Sequence, residues 1–158
     1  MKRLAGLLFA ATLVGASSAW AEKTTGSCMS AAPVISVGAT MSVTLVDEWY
    51  PEYDENGKET AQGNNTGFGA YWYKLTIPRY SSCSVWIEGA SSPDIFLSVE
   101  SDPDNWDLMA SFTGDSLPNG VQYAVLSSSD WFEEDPSIGT FYIGLTGGDV
   151  GDSVTLHV

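Results

Sequence analysis

Short segments in which apolar and polar residues alternate recur along the chain from residue 34 onward, each bounded by turn residues. An alternation of period two puts successive side chains on opposite faces of an extended strand, and no stretch beyond residue 34 shows the 3.6-residue period of a helix. The predicted strands are Val34–Val37, Thr40–Val46, Tyr71–Ile77, Cys83–Glu88, Asp94–Glu100, Leu108–Phe112, Val121–Leu126, Thr140–Thr146 and Ser153–Val158.

Turn residues separate these segments. Glycine and proline interrupt regular pairing because glycine adopts a positive φ and proline lacks a backbone donor. Eight or nine short strands in about 125 residues are typical of two packed antiparallel sheets. The sequence therefore predicts an all-β protein, an antiparallel β-sandwich of the jelly-roll type.

The N-terminus has the pattern of a secretory signal peptide. Basic Lys2 and Arg3 precede an apolar stretch, Leu4–Gly15, and small residues follow at Ala19 and Ala21. The apolar stretch is shorter than the roughly 20 residues needed to span a bilayer, which argues against a membrane anchor. We expect cleavage after Ala21, a secreted or periplasmic protein, and a single domain over residues 22–158 with no membrane insertion.

Acidic residues greatly outnumber basic ones. The chain has 20 acids and 6 bases, a formal charge of −14, and loss of Lys2 and Arg3 with the signal peptide would leave 20 against 4, or −16. Such a surface cannot replace the counterions of a phosphate backbone, which excludes a nucleic-acid partner. It would repel anionic surfaces and attract divalent cations.

Cys28 and Cys83 are the only two cysteines. In an oxidising compartment an isolated pair usually forms a disulfide. The closed loop would hold 83 − 28 + 1 = 56 residues and would stabilise the fold by about 4 kcal/mol. We expect this disulfide to hold the N-terminal segment against the body of the domain.

The side chains for nucleophilic or zinc catalysis are scarce. His157 is the only histidine, and it lies on the polar side of the last predicted strand. A serine or cysteine nucleophile needs such a base, and a zinc site needs several nitrogen or sulfur ligands. Carboxylates alone could hydrolyse a glycosidic bond, but 20 acids produce close pairs by chance. The prediction is a non-catalytic protein without catalytic residues.

A long acidic segment, residues 47–69, separates two predicted strands and is predicted to be a loop. Within it Asp47, Asp54 and Asn56, next to Gly57, offer the oxygen ligands that calcium prefers. Lys58 occupies a position at which an EF-hand loop carries a ligand. The alternatives are therefore a calcium-binding loop and a solvated acidic loop. Further acids that could contribute are Asp102, Asp104 and Glu133–Asp135.

Several aromatic residues fall on the outward phase of the predicted strands. A hairpin through Pro78 would place Tyr71–Ile77 beside Cys83–Glu88, with Lys74 opposite Trp86. Clustered outward aromatic side chains often mark a binding face, which could stack on sugar rings or pack on a polypeptide. Lys74 would add a cation–π contact. The predicted ligand-binding residues are Trp72, Lys74, Trp86, Phe96 and Tyr142. Alternatively, the N-terminal segment or the acidic loop covers them as a second small core.

The order of these features resembles the bacterial pre-peptidase C-terminal domain family, which is related to the collagen-binding domains of secreted collagenases. The resemblance covers most of the chain after the signal peptide. It is carried by Val34–Gly38, Met41–Leu45, Tyr71–Pro78, Pro93–Leu97, Gly139–Leu145 and Ser153–Val158, with the glycine–threonine–aromatic start of the fifth segment as its most specific part.

The resemblance implies a jelly-roll β-sandwich without catalysis of its own, in a family that is usually attached to exported enzymes and has some calcium-binding members. Where many members carry an aspartate before the aromatic strand, this chain has Asn64 and Asn65. The expected function is adhesion to an extracellular polysaccharide or protein, with calcium as a candidate cofactor. The alternative is a periplasmic inhibitor or accessory subunit of an exported enzyme.

Overall fold

The computed structural model describes residues 23–78, 81–101, 112–113, 115–116, 121–127 and 139–158. Within these residues the chain is all-β apart from a 3-10 turn at Met29–Ala31, which confirms the predicted class. The strands are β1 (Val34–Ile35), β2 (Thr40–Thr44), β3 (Val46–Tyr53), β4 (Glu59–Thr76), β5 (Ser82–Glu88), β6 (Phe96–Ser101), β7 (Phe112–Thr113), β8 (Asp115–Ser116), β9 (Gln122–Ser127), β10 (Thr140–Asp149) and β11 (Ser153–His157).

The strands form two sheets. Sheet A has six strands in the order β1–β4–β10–β6–β7, with β3 also paired to β4, and sheet B has five in the order β2–β11–β5–β9–β8. The short β1–β4 pair is parallel, and the other pairs are antiparallel. A two-sheet sandwich is thus confirmed, whereas the jelly-roll strand order is not.

The core lies between the two sheets and follows the predicted alternation. Buried aliphatic side chains from every other position of β4, β6 and β10 meet those of β2, β5, β9 and β11. This arrangement removes one face of each sheet from water. The fully buried large side chains include Leu75, Leu97, Ile143 and Leu145 from sheet A and Val85, Leu126 and Leu156 from sheet B.

The predicted hairpin between β4 and β5 is wrong. β4 pairs with β10, β3 and β1, whereas β5 pairs with β11 and β9 in the other sheet. Leu75 and Val85 both face the core, but from opposite sides of it. The chain therefore crosses from one sheet to the other after Thr76, and Lys74 and Trp86 lie on opposite outer faces of the sandwich.

The acidic segment 47–69 is a β-hairpin rather than a loop. β3 pairs with the first half of β4 from Val46↔Ala70 to Tyr53↔Glu59. The turn at its tip is closed by Asp54, whose Oδ1 accepts hydrogen bonds from the backbone N–H groups of Asn56 and Lys58, each at 2.9 Å. Its polar composition reflects an exposed two-stranded arm, in which most side chains face solvent.

The N-terminal segment, residues 23–33, lies against the edge of sheet A. Its carbonyl groups accept hydrogen bonds from strand backbone: Trp72 N–H donates to Gly26 at 2.8 Å, and Trp49 N–H donates to Ser27 at 3.0 Å. Gly26 has a φ of +79°, and a side chain there would collide with the Tyr71 ring. This close approach lets the segment continue the hydrogen bonding of the sheet where no strand covers the β4 edge.

The predicted disulfide is absent, and this corrects the expectation drawn from two cysteines alone. Both Cys28 and Cys83 are free thiols. Cys28 belongs to the segment on sheet A and lies 3.3 Å from Ser30 Oγ, whereas Cys83 on β5 packs against the core from sheet B. Burial raises the pKa of the Cys83 thiol.

No helix among the described residues is long and apolar enough to cross a membrane. The predicted signal peptide lies outside the described residues, as do Asp102, Asp104 and Glu133–Asp135. Those assignments stay predictions.

Candidate binding face

The outer face of sheet A carries four of the five predicted ligand-binding residues, but two of the four are covered. Trp72 and Tyr142 are only 9% and 8% exposed, because Met29 and Ala32 of the N-terminal segment pack on them. Gly144 lies directly opposite Trp72 in the pairing, and a Cβ there would be 2.7 Å from the indole. The predicted aromatic surface is here a second small core, the alternative that the sequence left open.

The other two members on this face remain accessible. Lys74 lies opposite Tyr142 and places its Nζ 5.7 Å from the centre of that ring, a cation–π distance. Phe96 is 45% exposed, and its ring lies against Gly147, at which a Cβ would approach it to 2.9 Å. Because the N-terminal segment buries Trp72, the described part of this face has no exposed tryptophan.

The outer face of sheet B carries the fifth predicted residue, Trp86, in a continuous row. His157 lies opposite Trp86 on one side, and Tyr123 lies opposite it on the other. Thr40 extends the row beyond His157. The Trp86 and His157 rings are stacked, with centroids 4.7 Å apart and planes 1° from parallel. Four neighbouring strands thus place a hydroxyl, an imidazole, an indole and a phenol side by side.

Hydrogen bonds hold the His157 ring in this row. Its Nδ1 lies 3.1 Å from Thr40 Oγ1, and its Nε2 lies 2.8 Å from Glu88 Oε1. Both ring nitrogens are therefore engaged, and one ring face is covered by Trp86. This arrangement fixes the imidazole as a support for the indole. The chemistry that it offers is a rigid, flat aromatic surface with a carboxylate at its side.

Sequence reasoning missed His157 and Tyr123 as members of a binding face. The alternation in the sequence indicates that each residue lies on the outward side of a predicted strand. The sequence does not show that β5 pairs with β11 and β9, and this pairing brings both rings beside Trp86.

The predicted calcium ligands do not come together. Asp47 accepts a hydrogen bond from Gly67 N–H at 2.9 Å near the base of the arm, whereas Asp54 and Asn56 lie at its tip. Seven residues of extended chain separate Asp47 from Asp54, about 20 Å. Among the described residues no group of three acidic, histidine or cysteine side chains could hold a metal. A calcium site that uses other residues stays a prediction.

One acid of the arm has a shifted ionisation. Partial burial raises the pKa of Glu48, a hydrogen bond from Thr66 opposes that shift, and neighbouring Asp47 adds to it. Trp49, in the same strand, is 2% exposed and lies under Lys23, whose Nζ is 4.4 Å from the ring and 2.6 Å from Glu59. Trp49 therefore anchors the arm to the N-terminal segment rather than facing a ligand.

Fold and site together define the class: a β-sandwich with a covered aromatic cluster on one outer face and a partly exposed aromatic row on the other. No family model matches the chain, and no curated protein matches it. Among solved structures the chain is similar to the pre-peptidase C-terminal domain of a collagenase from Bacillus anthracis, with 12% identity and a TM-score of 0.44. That similarity covers 79% of this chain and 90% of the other.

Proposed function

We propose that this protein is an exported, non-catalytic binding module that adheres to an extracellular polymer or protein through the outer face of sheet B. The observation that supports this is the Trp86–His157 stack at 4.7 Å, flanked by Tyr123, in which Trp86 and Tyr123 are both partly exposed. Aromatic groups on a rigid sheet lose little conformational entropy on binding, so they suit the recognition of flat sugar faces or polypeptide segments.

The acidic character of the chain narrows the ligand class. A formal charge of −14 disfavours sulfated and phosphorylated polymers, because like charges repel at the surface. Neutral polysaccharides and polypeptides with basic residues remain.

The test is retention of the exported protein on insoluble chitin, cellulose, peptidoglycan and collagen, each with calcium and with a chelator. We expect retention on one polymer and a loss of about tenfold in Trp86→Ala, since aromatic and cation–π contacts contribute roughly 0.5–2 kcal/mol. Tyr50→Ala is the matched control, because Tyr50 is a 64% exposed aromatic on the arm. Equal retention of the wild type and Trp86→Ala contradicts the proposal. Loss in the chelator alone supports a calcium-assisted mode.

A second function is favoured by the β3–β4 arm. Beyond the last β10 pair, Asp149↔Phe68, β3 is the only strand of the described residues that pairs with the first part of β4. Tyr50, Tyr53 and Phe68 on this arm are 64%, 52% and 64% exposed. Exposed tyrosines on a projecting hairpin suit a protein partner, as in an inhibitor or accessory subunit of an exported enzyme. In that case a tagged protein retrieves one defined partner, and Tyr50→Ala, not Trp86→Ala, abolishes the retrieval.

A further inference from the structure

A pocket opens at the end of the sandwich where β5 ends and β6 and β9 begin. Its volume is about 410 Å³, within the range of small-ligand sites. Glu88, Pro93, Ile95, Phe96, Val121 and Gln122 contribute to its lining. A mostly apolar wall with one carboxylate favours the binding of a ligand that has both an apolar body and a positively charged end.

The pocket walls are held in place. The Gln122 side chain bridges the two sheets: its Nε2 donates to the Ile95 carbonyl at 2.7 Å, and its Oε1 accepts from Leu97 N–H at 2.8 Å. Ser91, in the loop after β5, donates its backbone N–H to the Ser153 carbonyl at 2.8 Å. Its hydroxyl accepts a hydrogen bond from Ser153 N–H at 2.8 Å and donates to Asp152 at 2.9 Å. A site held by such bonds needs little reorganisation when a ligand enters.

Glu88 connects this pocket to the aromatic row. It lies two residues after Trp86 on the same face of β5, and its Oε1 is 2.8 Å from His157 Nε2. Its side chain is 53% exposed, so the carboxylate is accessible to solvent, and Glu88 is one of the residues that line the pocket. A chain lying across Trp86 would therefore carry its next side chains toward Glu88.

We propose that this pocket receives an arginine or lysine side chain of a polypeptide partner, with the aliphatic stem against Pro93 and Phe96 and the cation at Glu88. The partner class rests on the proposed binding function. Charge complementarity points to it, because a surface of formal charge −14 attracts basic segments and a carboxylate pairs well with guanidinium. An uncharged sugar would offer this carboxylate hydroxyl donors but no positive charge, so the charge-assisted part of the interaction would be absent.

The test is titration of the protein with N-acetylarginine amide and, as a neutral isostere, N-acetylcitrulline amide, monitored by amide NMR shifts. We expect saturable shifts at Gly89, Val121 and Gln122 with arginine, a dissociation constant on the order of 1 mM for so small a ligand, and binding at least tenfold weaker for citrulline. Glu88→Gln should abolish the difference while keeping an acceptor for His157. Glu52→Gln, on the exposed arm, is the matched control and should bind as the wild type does.

Equal shifts with citrulline, shifts spread over the acidic surface, or unchanged arginine binding in Glu88→Gln would each overturn the inference. These outcomes are independent of the polymer experiment. If Trp86→Ala loses retention while arginine leaves the pocket resonances unshifted, the proposed binding face on sheet B is supported and the cation pocket is contradicted. If arginine binds at Glu88 while no polymer is retained, the cation pocket is supported and the proposed adhesion to a polymer is contradicted.

Discussion

The outer faces of the two sheets show the same pattern in the sequence but differ in how exposed their aromatic residues are. Each carries a tryptophan on the outward phase of a strand, Trp72 on sheet A and Trp86 on sheet B. Trp72 is 9% exposed beneath the N-terminal segment, whereas Trp86 stacks on His157 and is partly exposed on the other outer face. Outward phase alone therefore does not identify a binding residue. A binding residue must also remain exposed, that is, no other segment of the chain may pack on it and bury it.

The sharpest test of this comparison is the pair Trp72→Ala and Trp86→Ala. Removing Trp72 empties the small core beneath the N-terminal segment and should lower the free energy of unfolding by about 4 kcal/mol. Removing Trp86 should cost about 1 kcal/mol, because it deletes one stacked contact at the surface. Urea unfolding of both variants measures the difference. Equal losses would mean that both faces are structural.

The interior beneath the covered face can be tested with alkali. Burial, aided by neighbouring Tyr71, raises the pKa of Tyr73 to about 12, above the value of about 10 for an unfolded tyrosine. The folded state therefore keeps a proton that the unfolded state loses, and the stability that this group contributes below pH 10 is lost as the pH rises through 12.

We expect the wild type to lose about 2 kcal/mol more than Tyr73→Phe between pH 9 and pH 12. Unfolding in urea at a series of pH values measures this, with Tyr50→Phe, on the exposed arm, as the control. Parallel pH profiles for the wild type and Tyr73→Phe would show that the phenol is not held in a dry interior.

The smallest expected effect concerns how the N-terminal segment is held on sheet A. Because Cys28 and Cys83 are free thiols on different sheets, Cys28→Ser and Cys83→Ser should each cost about 1 kcal/mol, and the double variant should cost their sum. A disulfide would instead give about 4 kcal/mol for either single variant and no further loss in the double. Urea unfolding under non-reducing conditions separates the two patterns.

Most of the strand assignment was predictable from residue order. Leu75, Val85 and Leu97 each lie in a predicted strand and face the core, as the alternation with the outward residues Lys74, Trp86 and Phe96 requires. A period of two is a local property that each strand shows by itself. The arm was missed for a related reason. Its strands have no buried aliphatic face, so the polar residues 47–69 show no alternation, although backbone pairing makes them a hairpin.

The sequence by itself determined the class of fold, the inward and outward phase of the strands and the acidic character of the surface, since these follow from local pattern and composition. Only the tertiary structure decided which strands are neighbours. That choice put Trp86 beside His157 and Tyr123, moved Lys74 to the opposite face, and laid the N-terminal segment over Trp72. Strand order depends on contacts between residues far apart in the chain, so no local pattern encodes it.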